Sequence, residues 1–561
     1  MNDPRYTIGL DFGTNTVRAL LVRTADGNEA GTGVAPYPSG EEGILLDPAR
    51  PHLARQHPGD YLEALVAAVH GACEQAHSCD PSFREHRVAA LGTAATSSSP
   101  LPVDAANQAL GQQEAFRGNL DAQCWLWKDH TSHEEALALT QRARELRPHY
   151  LERCGGSYSS EWFWSKILHC ARHIPEVFTA AYSWVELADW VPSQLAGISD
   201  PTRIVRSVCG AGHKALYAEK WGGLPDPEFL GGLHPDLPAL RDRLYERAHD
   251  LSSPAGVLHP EWAERLGLPP GIPLTVGQID VHNGAIGCGV RPGRLVRVIG
   301  TSSCDTTVIP PAEEEPHLEG ISGYVRGSIL PGLYGVEAGQ TAVGDVFGWW
   351  AGVASGEGPR DHAGLAAEAA RFRPGETGLL ALDWNNGNRD PLSDPRLSGL
   401  LLGQSLQTSA AEIYRACLES VAMTGRMILE AIEAGGVRID EVVCTGGVAE
   451  KSPLFLQIYA DLTGRELSLA PSSQSVALGG ALAAAVLAGA HPDLPTAQEA
   501  MLRPARARFH PDPGHTRTYE RLYAHHQALV RAFGYPGTAP DLYPVMKDLL
   551  ALKEGVRRGE G

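Results

Sequence analysis

No two cysteines in this 561-residue chain stand in a CxxC pair, although ten cysteines are spread along it. That absence argues against structural zinc and against a disulfide framework, so reduced thiols are the expected state. Long apolar runs are missing too. The most apolar stretch, Ala477–Ala490, is shorter than the ~20 residues of a membrane span and is rich in Gly and Ala, as closely packed helices are. Positive charge is scarce: 47 Lys and Arg face 66 Asp and Glu, for a net charge of −19. A surface of that sign repels nucleic acid and anionic membranes, and neither is expected as a partner. The opening residues MNDPRYTIG lack a basic and apolar leader pattern, so a cytoplasmic protein is expected. No GxSxG elbow or Cys/His grouping offers a hydrolase nucleophile. Ala211–Leu216 (AGHKAL) lacks the full P-loop spacing.

What is present is an alternation of strand and helix patterns, which predicts an α/β architecture. The length predicts two large domains. His57–Ala76 carries Leu62, Leu65, Val66 and Val69 at helical spacing, with Pro58 and Asp60 at its start. A long helix is expected over Ser409–Ala434, stopped by Gly435 and Gly436. Another is expected over Thr518–Ala532.

Two stretches share one grammar. Tyr6–Val22 (YTIGLDFGTNTVRALLV) and Leu295–Ile309 (LVRVIGTSSCDTTVI) each read as strand, Gly-Thr turn, strand. Two such hairpins, about 290 residues apart, suggest a duplicated domain. β-Hairpins with Gly turns are common, so the pair alone is a weak sign. A Gly-Thr turn can cradle phosphate, because glycine admits close backbone approach and hydroxyls add donors. Asp11, at the end of the first strand, is placed to hold Mg²⁺ directly or through water. The plain alternative is an ordinary hairpin with a capping Asp.

Val443–Gly464 reads as strand, Gly446-Gly447 turn and helix, with Ser452 as N-cap and Pro453 at the first helical position. Such a turn can receive a nucleotide or be a tight βα connection. Thr275–Val290 places Asp280 and His282 after a short apolar strand, where Asp280 is a base or a cap. Glu337 and Gln340 sit in a Gly-framed strand end, and Lys214 is a candidate ligand contact. The Trp-rich segments 126–131, 158–168 and 185–192 read mostly as core. Trp127, beside Lys128 and Asp129, is the exception expected to face a ligand.

Taken in order, GLDFGTNTVR (Gly9–Arg18), WKDHT (Trp127–Thr131), YSSEWFWSKIL (Tyr158–Leu168), WGGL (Trp221–Leu224), DVH (Asp280–His282), IGTSSCD (Ile299–Asp305), EAGQ (Glu337–Gln340) and TGG (Thr445–Gly447) resemble the ribulokinase branch of the FGGY carbohydrate kinases, within the actin/hexokinase/Hsp70-like superfamily. The resemblance covers nearly the whole chain. It implies two ribonuclease H-like domains flanking a central cleft: residues 1–286 with sugar and the first phosphate loop, and residues 287–561 with ATP and the second. By resemblance Asp280 is the catalytic base. Thr96, Ser97, Ser98, Trp127, Lys128, Lys214 and Glu337 would hold sugar together with Asp280. Gly13, Thr14, Asn15, Thr16, Gly300, Thr301 and Ser302 would form the phosphate loops, with Gly446, Gly447 and Ser452 bordering the adenosine. Asp11 would hold Mg²⁺ beside ATP.

The implied reaction is phosphorylation of L-ribulose, with D-ribulose as a further substrate, at the 5-hydroxyl in L-arabinose catabolism. A sister pentulose or polyol kinase and a non-catalytic sugar or nucleotide sensor remain as alternatives. Members of the family are often dimers, though no segment here identifies an interface. One departure stands out. Where these kinases commonly read G-V-D-x-T, this chain has Gly92-Thr93-Ala94-Ala95-Thr96, without the acid, which leaves its sugar preference open.

Overall fold

The computed structural model describes residues 5–312, 315–356, 358–537 and 540–558. Met1–Pro4, the start of the segment read for a leader, lie outside that range.

Both Gly-Thr stretches fold as hairpins, and each opens its own sheet. Tyr6–Phe12 pairs antiparallel with Thr16–Arg23, which pairs with Glu29–Pro36. On its other side Tyr6–Phe12 runs parallel to Val88–Ala95, which in turn pairs with Pro273–Thr275 and Gln278–Ile279. The second sheet repeats the plan. Gly293–Ile299 pairs antiparallel with Ser303–Ile309, which pairs with Tyr334–Gln340. Gly293–Ile299 also runs parallel to Ile439–Thr445, which pairs with Leu467–Leu469. Three antiparallel strands followed by two parallel ones, twice over, is the architecture expected of a duplicated domain.

The helices form where their patterns predict. Pro58–Cys79 starts on proline and buries Leu62, Leu65 and Val69. Ala410–Ala434 begins with a capping box, Ser409 and Glu412 satisfying each other's backbone N–H groups, and ends at Gly435. The tail helix runs longer than expected, Pro513–Gly534.

The apolar stretch at 477–490 is the helix Ser475–Leu487, and its packing joins the two halves. It follows Leu467–Leu469 of the second sheet in sequence, yet Ala477, Leu478, Ala481 and Leu482 belong to the core of the first. Glycines on both partners make this approach possible. A Cβ on Gly9 would lie 1.7 Å from the Ala477 carbonyl oxygen, and one on Gly92 2.0 Å from that of Gly480. The helix also crosses Asp280–Gly287, where a Cβ on Gly287 would lie 2.0 Å from the Ser475 carbonyl oxygen. Asp280 therefore heads a helix clamped against the element that ties the halves together. Among the described residues, no helix is long and apolar enough to cross a membrane.

Candidate active site

The first turn is held tightly. Gly13 N–H donates to the Thr16 carbonyl at 3.0 Å, and Tyr37 hydroxyl donates to the Gly13 carbonyl at 3.1 Å. Asn15 Nδ2 donates to the Glu42 carbonyl at 2.8 Å. Trp127 Nε1 donates to Thr14 Oγ1 at 3.1 Å, so the expected exception among the tryptophans touches the turn itself. Trp125, Trp164, Trp184 and Trp190 are fully buried, as core packing predicts. Lys128 lies near Asp345 of the second half, whose carboxyl it opposes electrostatically against the upward effect of burial.

Asp11 lies at the end of its strand and accepts from Arg18 Nη1 at 3.2 Å. Burial pushes its carboxyl up, and Arg18 offsets part of that. Asp280 is the first residue of its helix, and its Oδ1 accepts from Val281 N–H at 2.7 Å. Its carboxyl is pushed up to about 7, by burial first and then by the charge of Asp11. The charge of Asp11 thus acts on Asp280, and both carboxyls are buried in the same region. Ala94, where the family pattern has an acid, is fully buried in register between Asp11 and Gln278.

Lys214 and Glu337 meet across the halves, with Nζ donating to Oε1 at 2.7 Å. Burial alone would raise Glu337, but Lys214 and two histidines hold it well below the usual carboxylate range. The YSSEWFW segment buttresses this lysine rather than offering rings to solvent. Trp164 Nε1 donates to the Ala215 carbonyl at 2.8 Å, Tyr158 hydroxyl donates to the Lys214 carbonyl, and the Trp162 ring lies 5.5 Å from Nζ.

The loop Thr96–Ser98 is placed beside the first turn, where Thr96 N–H donates to the Phe12 carbonyl at 3.1 Å. Its hydroxyls are already engaged: Thr96 with Ser99 at 3.1 Å, Ser97 with Glu186 at 3.2 Å, and Ser98 with the other oxygen of Glu186. Glu186 also accepts from Ser99 N–H at 2.8 Å. Lys166, fully buried, donates to the carbonyls of Ser98 at 2.7 Å and Leu126 at 2.8 Å. Sequence reasoning did not single out Glu186 or Lys166. Both were visible as charged residues inside otherwise apolar, Trp-rich segments, which is itself a sign of a buried network.

The second turn is also closed by its glycine but is one residue tighter, with Gly300 N–H donating to the Ser302 carbonyl at 2.8 Å. Val343 N–H donates to the Thr301 carbonyl at 2.8 Å. Gly446, at φ +96°, packs on the Ile299 carbonyl, which joins the TGG segment to this turn. Among the described residues, a Cβ on Gly447 would meet nothing within 4 Å, and one on Gly300 only the Ser302 carbonyl at 3.9 Å. Ser452 caps its helix, accepting from Phe455 N–H at 3.4 Å.

Comparison with known proteins bears on this constellation. Residues 295–488 match the FGGY family of carbohydrate kinases, C-terminal domain. The ribulokinase of Geobacillus thermodenitrificans is 39% identical, over 94% of this chain and 95% of its own length. The ribulokinase of Shouchella clausii is 38% identical, over 99% of both. This chain belongs to the ribulokinase family of FGGY carbohydrate kinases. Solved family folds superimpose on it. A xylulose kinase from Brucella ovis covers 94% of this chain with TM-score 0.77 at 19% identity. A Plasmodium falciparum glycerol kinase with ADP covers 94% with TM-score 0.72 at 15% identity. At those identities the likeness is one of fold. It agrees with the two-sheet actin/hexokinase-type architecture expected from the motifs.

Proposed function

We propose that this kinase transfers the γ-phosphoryl group of ATP to the 5-hydroxyl of L-ribulose, in the catabolism of L-arabinose. The observation that carries the reading is Asp280. This buried carboxylate heads its helix, burial and the charge of Asp11 push it up to about 7, and Glu337 and Lys214, themselves paired, also act on it. A general base works best when its pKa lies near the working pH.

In this reading residues 1–286 hold most of the sugar and residues 287–561 most of the nucleotide, and the helix Ser475–Leu487 of the second half packs on the first sheet. Lys214 and Glu337 hold sugar hydroxyls, and Trp127, Lys128 and the Thr96–Ser98 loop border them. Because the Ser97 and Ser98 hydroxyls are taken by Glu186, this loop acts through its backbone and shape. Asp280 Oδ accepts the proton of the 5-hydroxyl as that oxygen attacks phosphorus in line. Gly13–Thr16 and Gly300–Ser302 approach the phosphates through backbone, and Gly446, Gly447 and the Ser452 turn border the adenosine.

The residues present fit Mg²⁺ and ATP. Asp11, a buried carboxylate at the strand end beside the first turn, is an oxygen donor suited to a hard cation. Gly300 and Gly447 face open space that a side chain would fill. Asp11 would hold Mg²⁺, which when bound supplies charge neutralisation on the phosphates. Phosphoryl transfer needs little else from protein beyond positioning and electrostatics. The reading includes a cytoplasmic enzyme and a homodimer, as in many family members. The net charge of −19 argues against nucleic acid or anionic membrane as partners.

The test is ADP release from Mg-ATP with L-ribulose, D-ribulose, D-xylulose, ribitol and glycerol in turn. The strongest rate is expected with L-ribulose. A strongest rate with another sugar would move the specificity to a sister kinase and make Ala94 the first residue to examine. No rate with any sugar, despite ATP binding, would favour a sensor.

A further inference from the structure

Three buried ligand atoms converge where the two halves meet, and apart from one another none has a hydrogen-bond partner among the described residues. They are His213 Nδ1, His282 Nε2 and Glu337 Oε2. All three lie within 4.8 Å of one another. His282 Nε2 is 3.2 Å from Glu337 Oε2, and His213 Nδ1 is 3.7 Å from it. Bonds of about 2.0–2.1 Å in a tetrahedral zinc site put neighbouring ligand atoms about 3.3 Å apart. The observed spacings bracket that value. A buried polar atom without a partner outside its own cluster is costly, and three gathered this closely leave room for an ion to satisfy them.

The far side of each ligand is already engaged. His282 Nδ1 lies 2.8 Å from Cys209 Sγ, His213 Nε2 lies 3.0 Å from Ser328 Oγ, and Glu337 Oε1 accepts from Lys214 at 2.7 Å. In the tautomers that carry the ring N–H on the outer nitrogen, each imidazole turns a lone pair inward. Outer partners that fix a tautomer in this way are the usual support of metal-binding histidines.

We propose that His213, His282 and Glu337 form a zinc-class divalent-metal site that staples the two halves together. His213 comes from the helix Val208–Lys214 and His282 from Asp280–Gly287, both in the first half. Glu337 comes from the strand Tyr334–Gln340 in the second. A metal held by all three keeps the cleft closed at its floor. It also takes the carboxylate assigned above to the sugar, so zinc is inhibitory and competes with the sugar. That competition rests on the proposed function, whereas binding of the metal does not.

The experiment uses the full chain freed of metal, with Zn²⁺ titrated against a chromophoric chelator in the absence of nucleotide. One zinc per chain is expected, with affinity at least about tenfold weaker in His213→Gln and in His282→Gln. X-ray absorption of the wild-type zinc complex should show nitrogen and oxygen neighbours without sulfur, a readout that does not depend on the variants folding. In the kinase assay, zinc inhibition should be relieved by L-ribulose and not by Mg-ATP. Absence of stoichiometric zinc, sulfur coordination, or equal affinity in folded variants would overturn the site. Stoichiometric zinc with inhibition that no sugar relieves would uphold the site while overturning its competition with sugar.

Discussion

Lys214 Nζ stands 2.7 Å from Glu337 Oε1, and this ion pair joins a helix of the first half to a strand of the second. Both side chains are buried. Glu337→Gln therefore removes a charge-assisted hydrogen bond and leaves a buried ammonium without its partner. Steady-state kinetics should show KM for the sugar raised by about 10- to 100-fold, with KM for ATP changed much less. Equal rises for both substrates would place the pair outside the sugar site.

The Thr96–Ser98 loop depends on a lysine that never reaches the cleft. Burial lowers Lys166 to about 8, while Asp129 and Glu186 favour its charged form. Its ammonium ties the Ser98 carbonyl to that of Leu126, next to Trp127. Lys166→Met should raise KM for the sugar by about tenfold or more and lower the melting temperature, because Glu186 loses its nearby cation. A sugar KM at the wild-type level in the folded variant would limit Lys166 to stability.

Glycines in this fold serve two separable purposes. A Cβ on Gly9 would stand 1.7 Å from the Ala477 carbonyl oxygen, whereas one on Gly447 would meet nothing among the described residues. Gly9→Ala should destabilise the protein by at least about 1–3 kcal/mol, the range for overpacking, in denaturant unfolding. Gly447→Val should leave unfolding nearly unchanged yet raise KM for ATP, because its methyls occupy space the nucleotide needs. The reverse pattern would contradict both assignments.

The pH dependence follows from Asp280. Its folded pKa, about 7, lies above the ordinary 3.8, so folding favours the protonated form. The stability cost of ionising it is therefore absent at low pH and complete above about 7. Asp280→Asn should gain melting temperature relative to wild type at pH 8 more than at pH 5. In the wild-type enzyme kcat/KM should fall on the acid side of about pH 7, as the base is protonated. A rate that stays flat down to pH 5 would mean another group accepts the proton.

Much of this was legible before the fold was known. The hairpins were readable because local turn chemistry and strand patterns report them directly, whereas the two-sheet plan and the role proposed for Asp280 came from the resemblance to the family. The Trp-rich segments told less, since Trp164 packing under Ala215 and Trp127 bonding Thr14 carry the same composition. What escaped was long-range. Nothing local says that Ser475–Leu487 packs on the first sheet, because only tertiary contact pairs its small residues with Gly9 and Gly92. Lys166 and Glu186 escaped for the same reason: their partners lie 68 and 88 residues away along the chain.

The central claim is that Asp280 takes the proton of the attacking hydroxyl. The direct measurement is turnover of L-ribulose by Asp280→Asn, alongside sugar binding by calorimetry. The account predicts kcat reduced by about 10²–10⁴-fold with sugar binding still measurable. Turnover at the wild-type rate would contradict it.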